Sequence, residues 1–176
     1  MRFASMRNLD ISNGEGVGVS LFVQGCDRHC FNCFNPDTWD FNGGKEWTEE
    51  TKNKFIKLID RPYINRISVL GGEPLAEQNL DEVLSLIKEI RISFPEKTIW
   101  LYTGYKFEDL INGIHYPLDS EWEDKVLRQS IVKLCDVLVD GEYIDEQRDI
   151  TLKWRGSLNQ RVIDVKQSLT QNKIVL

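Results

Sequence analysis

A chain of 176 residues, 41% apolar and 28% charged, has the size and composition of one soluble globular domain, so a single domain over 1–176 is expected. Its 22 basic and 28 acidic residues give a formal charge of −6, which argues against the basic surface of a nucleic-acid-binding module. No apolar stretch approaches the ~20 residues of a membrane span, and the first residues lack the apolar core of a signal peptide, so a cytoplasmic protein without membrane partners is expected. Residues 13–18 are a glycine-rich turn, after which alternating Val17, Val19, Leu21 and Val23 predict a half-buried strand. Directly behind it stand Cys26, Cys30 and Cys33, spaced C-x3-C-x2-C. Thr48 before Glu49 and Glu50 marks a helix start, with Phe55, Ile56 and Ile59 as its buried face. Arg66-Ile67-Ser68-Val69-Leu70 predicts a strand that ends at Gly71-Gly72. Asn79 and Glu82 have capping-box spacing, Leu80, Val83, Leu84, Ile87 and Ile90 follow one helical face, and Pro95 ends that helix. Thr98-Ile99-Trp100-Leu101-Tyr102 reads as the next strand. Ser120 and Glu123 repeat the capping signature ahead of Val126, Leu127, Ile131 and Leu134. Two further strands are predicted, Asp136-Val137-Leu138-Val139-Asp140 and Arg161-Val162-Ile163-Asp164-Val165. Residues 106–119 carry no readable pattern.

Strand and helix alternate, so the α/β class with βαβ units in a parallel sheet follows. The chain is too short for a closed eight-stranded barrel of about 250 residues, and a partial (β/α) barrel, open on one side, fits better. Ligands in such sheets bind at the carboxyl ends of strands. The cysteine loop, Gly71-Gly72-Glu73-Pro74, Thr103-Gly104-Tyr105 and Asp140-Gly141 all follow predicted strands, which places them at one shared site.

Three thiolates this close in sequence can ligate one metal centre, and soft sulfur selects iron–sulfur clusters, zinc or Cu(I). A structural zinc site is normally closed by four protein ligands, and a ferredoxin-type cluster by four cysteines. Three cysteines leave one iron of a [4Fe–4S] cube open. The competing reading is a zinc ion on Cys26, Cys30, Cys33 and His29 in a non-catalytic adaptor. Gly71 and Gly72 allow close backbone approach to a ligand, and exposed carbonyls with the Glu73 carboxylate would accept an ammonium donor. The alternative is an ordinary strand-to-helix turn. Asp140 ends an apolar strand and is costly to bury without a partner, so it is either a cap or a ligand contact. Arg155, Asn159 and Arg161 concentrate guanidinium and amide donors suited to a carboxylate or a partner backbone, or simply form a polar loop. Cys135 stands alone and reads as a small buried hydrophobe.

The cysteine spacing at the end of a first strand resembles that of the radical S-adenosylmethionine enzymes. Ser20-Leu21-Phe22-Val23-Gln24-Gly25-Cys26, Cys33-Phe34-Asn35-Pro36, Thr38-Trp39-Asp40-Phe41-Asn42-Gly43-Gly44 and the segment 154–164 are similar to the activating proteins of anaerobic (class III) ribonucleotide reductases. The resemblance implies a [4Fe–4S] cluster on Cys26, Cys30 and Cys33, with S-adenosylmethionine on its open iron. It implies that Gly71, Gly72 and Glu73 receive the cofactor's amino group, and that Asn32, Thr103 and Asp140 contact the rest. Arg155, Asn159 and Arg161 would touch cofactor or partner. One electron, from a reduced donor such as flavodoxin, would cleave the sulfonium to methionine and a 5′-deoxyadenosyl radical. That radical would take hydrogen from a glycine Cα of the reductase. The rival enzymes are an activase of another glycyl-radical enzyme and a small synthase of the 7-carboxy-7-deazaguanine type. Two departures stand out: Asn13 and Glu15 replace the family's usual aspartate and proline in a turn, and Asn32 replaces its usual glycine.

Overall fold

A computed structural model describes residues 1–112 and 122–176; the expected cap at Ser120 lies outside them. Its sheet has seven strands in the order β3-β1-β2-β4-β5-β6-β7. These are β1 (Arg2–Asp10), β2 (Gly18–Val23), β3 (Lys45–Glu46), β4 (Arg66–Gly71), β5 (Thr98–Tyr102), β6 (Val137–Asp140) and β7 (Arg161–Asp164). Strands β2, β4, β5 and β6 run parallel, giving the open α/β sheet of a partial barrel. Its flanks are antiparallel, which the sequence did not announce. Parallel strands need a long crossover, usually a helix. Between β6 and β7 there is only a short 3-10 turn (Asp145–Gln147), so the chain returns antiparallel. Strand β1 was invisible because its register breaks twice, between Phe3 and Ser5 and between Arg7 and Asp10. Such bulges scramble the period of two by which a strand is recognised.

Five helices complete the described residues: α1 (Glu49–Ile59), α2 (Leu80–Ser93), α3 (Phe107–Asn112), α4 (Trp122–Leu134) and α5 (Val165–Gln171). None is long and apolar enough to cross a membrane. Helix α1 starts as expected, the Thr48 hydroxyl accepting from the Thr51 N–H at 3.2 Å. Helix α5 was not expected: Asp164 accepts from the Gln167 N–H at 2.8 Å, and this cap stops the strand one residue before Val165.

The two faces of the sheet differ. Val19, Leu21, Val23, Ile67, Val69, Ile99, Leu101, Leu138 and Ile163 point outward into one apolar core with the helices. Strand β2 is therefore buried along its whole length rather than half-buried, because its other face is also covered. That inner face is layered. Phe22 pairs with Leu70 and Tyr102 with Val139, and the β4–β5 register sets Leu70 beside Tyr102, so these four form one inward row just below the strand ends. Ser20, Ser68 and Trp100 form the row beneath.

Below them lies a buried polar plug. Arg66 is fully buried and donates to the Asp10 carbonyl at 2.7 Å, to the Asn13 carbonyl and to the Ser68 hydroxyl. The Asp10 carboxylate accepts from the Ser20 hydroxyl (2.8 Å), the Asn13 amide (2.6 Å) and the N–H groups of Ser12 (2.7 Å) and Asn13 (2.9 Å). Asn13, expected to matter only to a turn, is thus part of the interior. Burial pushes the Asp10 carboxyl up, but the donors of Asn13, Ser20 and Ser12 outweigh it and hold it at about 2. A carboxyl depressed in the fold stabilises it above its ordinary pKa and loses that contribution as pH falls towards the depressed value. The contribution is about 2 kcal/mol. Asp10→Asn should therefore lower the melting temperature at pH 7, and the gap to wild type should narrow between about pH 4 and pH 2. Paired melts across that range check this, since acid effects common to both proteins cancel; a gap independent of pH would refute it.

Candidate functional site

The carboxyl ends of β2, β4, β5 and β6 surround one open cavity of about 520 Å³. Its wall contains Cys26, Cys30 and Cys33, all half-buried and free, with Gly71, Gly72, Glu73 and Thr103. Four predicted loops thus converge at one place. The cysteine loop is held from beneath by Gln24, whose buried amide donates to the Asp37 and Asp40 carbonyls, each at 2.9 Å. The Cys26 N–H donates to the Trp39 carbonyl at 3.1 Å, and Trp39 also packs against the His29 ring at 4.7 Å. His29 itself is exposed.

The β4 loop is laced to the cysteine loop. The Gly72 N–H donates to the Val23 carbonyl (2.9 Å) and the Glu73 N–H to the Gly25 carbonyl (2.8 Å). Both glycines are required by this contact. A Cβ on Gly72 would lie 2.3 Å from the Gly25 oxygen, and one on Gly71, at φ +110°, would lie 2.8 Å from the Phe22 Cα. Asn79 stands at the expected cap position of α2, but its side chain makes no capping bond. Its buried amide instead donates to the carbonyls of Gln24 (3.1 Å) and Glu73 (3.0 Å), tying both loops together.

Glu73 is buried and largely saturated by its own chain. Its carboxylate accepts from the Leu75 N–H (2.9 Å), the Thr103 hydroxyl (2.8 Å) and the Gly104 N–H (2.8 Å). It bridges the loops after β4 and β5, and Thr103 serves that bridge. Burial pushes the Glu73 carboxyl above its ordinary value, against those three donors and the nearby Arg28 charge. Arg28, which drew no attention in the sequence, is the clasp of the site. Its guanidinium pairs with Glu142 at 2.7 Å and lies 4.0 Å over the Tyr105 ring.

Other expected contacts fall elsewhere. Asn32 adopts the left-handed φ of +54°, a conformation that asparagine tolerates better than most residues other than glycine. Its exposed amide donates to Asp145 at 2.9 Å, outside the cavity wall. Asp140 is buried and accepts from the Phe107 N–H (2.8 Å) and from the Arg161 guanidinium (2.9 and 2.5 Å). Arg161 also forks onto Glu108 at 2.9 and 2.7 Å. Asp140 and Arg161 therefore neutralise each other beside the site, and neither lines the cavity. Asn159 donates to the Glu142 carbonyl at 2.8 Å. Arg155 does line the cavity, with one guanidinium nitrogen held by the Gln160 carbonyl at 2.5 Å. Cys135 is wholly buried and donates its S–H to the Ile131 carbonyl, as a small core residue would.

The donor set fits an iron–sulfur cluster. Burial pushes the Cys26 thiol up to about 11, opposed by the backbone N–H groups of Arg28 and His29, so a cationic centre is needed to hold it as thiolate. Among the described residues no three His, Cys, Asp or Glu side chains converge on a single ion. Ligands of one zinc ion crowd around Zn–S bonds of about 2.3 Å. Cys26, Cys30 and Cys33 instead line one shared cavity.

Residues 12–163 match the family of 4Fe-4S single cluster domains. The anaerobic ribonucleoside-triphosphate reductase-activating protein of Salmonella typhimurium is 37% identical over 164 residues, 92% of this chain and 97% of its own length. Its namesake from Escherichia coli strain K12 is 36% identical over the same shares, and that of Enterobacteria phage T4 is 35% identical over 92% of this chain and 93% of its own length. With its thiols, its glycine-rich β4 loop and this likeness over nearly the whole chain, the protein belongs to the radical S-adenosylmethionine family of anaerobic ribonucleoside-triphosphate reductase-activating proteins.

Proposed function

We propose that this chain installs a glycyl radical on an anaerobic ribonucleotide reductase, using a [4Fe–4S] cluster and S-adenosylmethionine. The observation that carries the reading is the convergence of three thiols and the Gly71–Glu73 loop on one cavity at the strand ends. Cys26, Cys30 and Cys33 would hold the cluster by three of its irons. When bound, cluster and cofactor together supply one-electron reductive cleavage of a sulfonium, and the electron comes from a low-potential donor.

The chain's own part is binding, orientation and exclusion of water. Carbonyls of the Gly71-Gly72 turn and the remaining acceptor capacity of Glu73 suit an ammonium group. Arg155 keeps guanidinium donors for a carboxylate. The Arg28–Glu142 pair and the Tyr105 ring close the wall between the cysteine loop and the loop after β6. Asp140 and Arg161 hold α3 and β7 in place beneath that wall.

The test is electron paramagnetic resonance of the anaerobically reconstituted, reduced protein mixed with a class III ribonucleotide reductase and S-adenosylmethionine. A glycyl doublet is expected on the reductase, and little or none on pyruvate formate-lyase under the same conditions. Turnover of a small molecule without any protein partner would replace this reading by that of a synthase.

A further inference from the structure

Two features that cost stability line the same cavity, one on the inner row of the sheet and one in the loop before β7. Tyr102 has a buried hydroxyl with no hydrogen-bond partner, and a buried unsatisfied hydroxyl is unfavourable to the fold. Trp154 stands in the left-handed region at φ +63°, which a bulky residue adopts only when its surroundings force it. What Trp154 gains is a place in the cavity wall, edge-on to Trp100 at 5.1 Å. Strained residues of this sort gather at sites that bind something.

Phe22, Leu70 and Val139 complete the row around Tyr102, and Arg7, Ser12 and Asn13 line the cavity beside it, Arg7 lying over the Phe22 ring at 4.9 Å and 3.6 Å from the Asp10 carboxylate. The nearest buried charges, Asp10 and Arg66, are occupied by each other and by Ser20, Ser68 and Asn13. Within that row the Tyr102 hydroxyl is the one neutral donor–acceptor group, in an aromatic and aliphatic setting, and the Arg7 charge at its edge is met by Asp10. The hydroxyl itself carries no charge to pair with a carboxylate, a phosphate or an ammonium. It suits an uncharged amide.

We propose that Tyr102 and Trp154 form the receiving floor for the polypeptide segment that carries the reacting carbon, with the Tyr102 hydroxyl bonding a main-chain amide or carbonyl beside it. This rests on the activase reading above. A glycine at that point has no side chain, so its backbone can come down to a floor set at the end of β5 and one residue below the ends of β2, β4 and β6.

The experiment compares wild type with Tyr102→Phe, both reconstituted anaerobically. Three quantities are read: the melting temperature, the cofactor Kd by calorimetry, and the glycyl radical formed on a class III reductase per cofactor cleaved. Removing an unpartnered hydroxyl should leave the melting temperature unchanged or raise it. The radical-to-cleavage ratio should fall about 3- to 10-fold, the loss expected for one neutral hydrogen bond. A lower melting temperature would mean that the hydroxyl has an internal partner, and would overturn the proposal. So would an unchanged ratio. A cofactor Kd weakened by the same factor would assign the hydroxyl to the cofactor and equally overturn it. Wild-type protein that leaves the reductase radical-free would bring down the activase reading and this proposal together, whereas the other outcomes refute the proposal alone.

Discussion

Replacing Cys26, Cys30 or Cys33 by alanine should reduce cluster iron to background, while Cys135→Ala keeps its full complement. Three thiols facing one cavity leave no spare ligand among the described residues, because Cys135 is buried in the outer core and donates to the Ile131 carbonyl. Losing any one of the three would strip a thiolate from the proposed centre, which has no fourth. Cys135→Ala instead removes a small buried group, at a cost of about 1 kcal/mol, within the ordinary range for a single core change. Iron and sulfide analysis after anaerobic reconstitution, with visible absorption, reads all four variants. A Cys135 variant that holds no iron while still folding would sink the ligand assignment, and so would a loop-cysteine variant that keeps a stable cube.

Much of this site could be read from the chain because its chemistry is local. The thiols lie in one loop, and Gly71-Gly72-Glu73 directly follows the largely aliphatic stretch Ile67-Ser68-Val69-Leu70. What was not legible depends on pairs distant in sequence. Glu73 is held by Thr103 and Gly104, thirty or so residues on, and no spacing rule connects them. Asn79 has the look of a helix cap from its neighbours alone, yet its amide is claimed by Gln24 and Glu73. Arg28 lies between two cysteines, and only the fold shows that Glu142 and Tyr105 receive it. The fold divides in the same way. The parallel centre follows from strands that alternate with amphipathic helices, whereas β1 hides behind two register breaks and β7 turns antiparallel because no α-helix separates it from β6. Asp10 and Asn13 drew no functional weight in the sequence, since their importance comes from Arg66, more than fifty residues away.

Arg161→Ala should lower stability by about 3 kcal/mol, towards the low end for breaking a buried ion pair. Sequence alone set Arg161 among groups free to grip a cofactor or partner, but the fold gives it work within the chain. Its Nε and Nη2 donate to Asp140, whose side chain is 1% exposed, at 2.9 and 2.5 Å. Among the described residues, removing the guanidinium leaves that carboxylate with the Phe107 N–H as its remaining hydrogen-bond donor. Arg161 is itself 27% exposed, so water can reach the vacated space and moderates the penalty. The second pair, with the half-exposed Glu108, adds little, as surface ion pairs do. For a domain of this size the loss corresponds to roughly 6–12 °C in Tm. Asp140→Asn in the Arg161→Ala background should recover part of it, because it removes the charge that was left unpaired. Thermal melts of the four proteins of this cycle, with iron content measured on each, supply the test. If Arg161→Ala instead melted like wild type and lost only radical transfer to the reductase, the arginine would belong to the docking surface and the buried pair would be incidental.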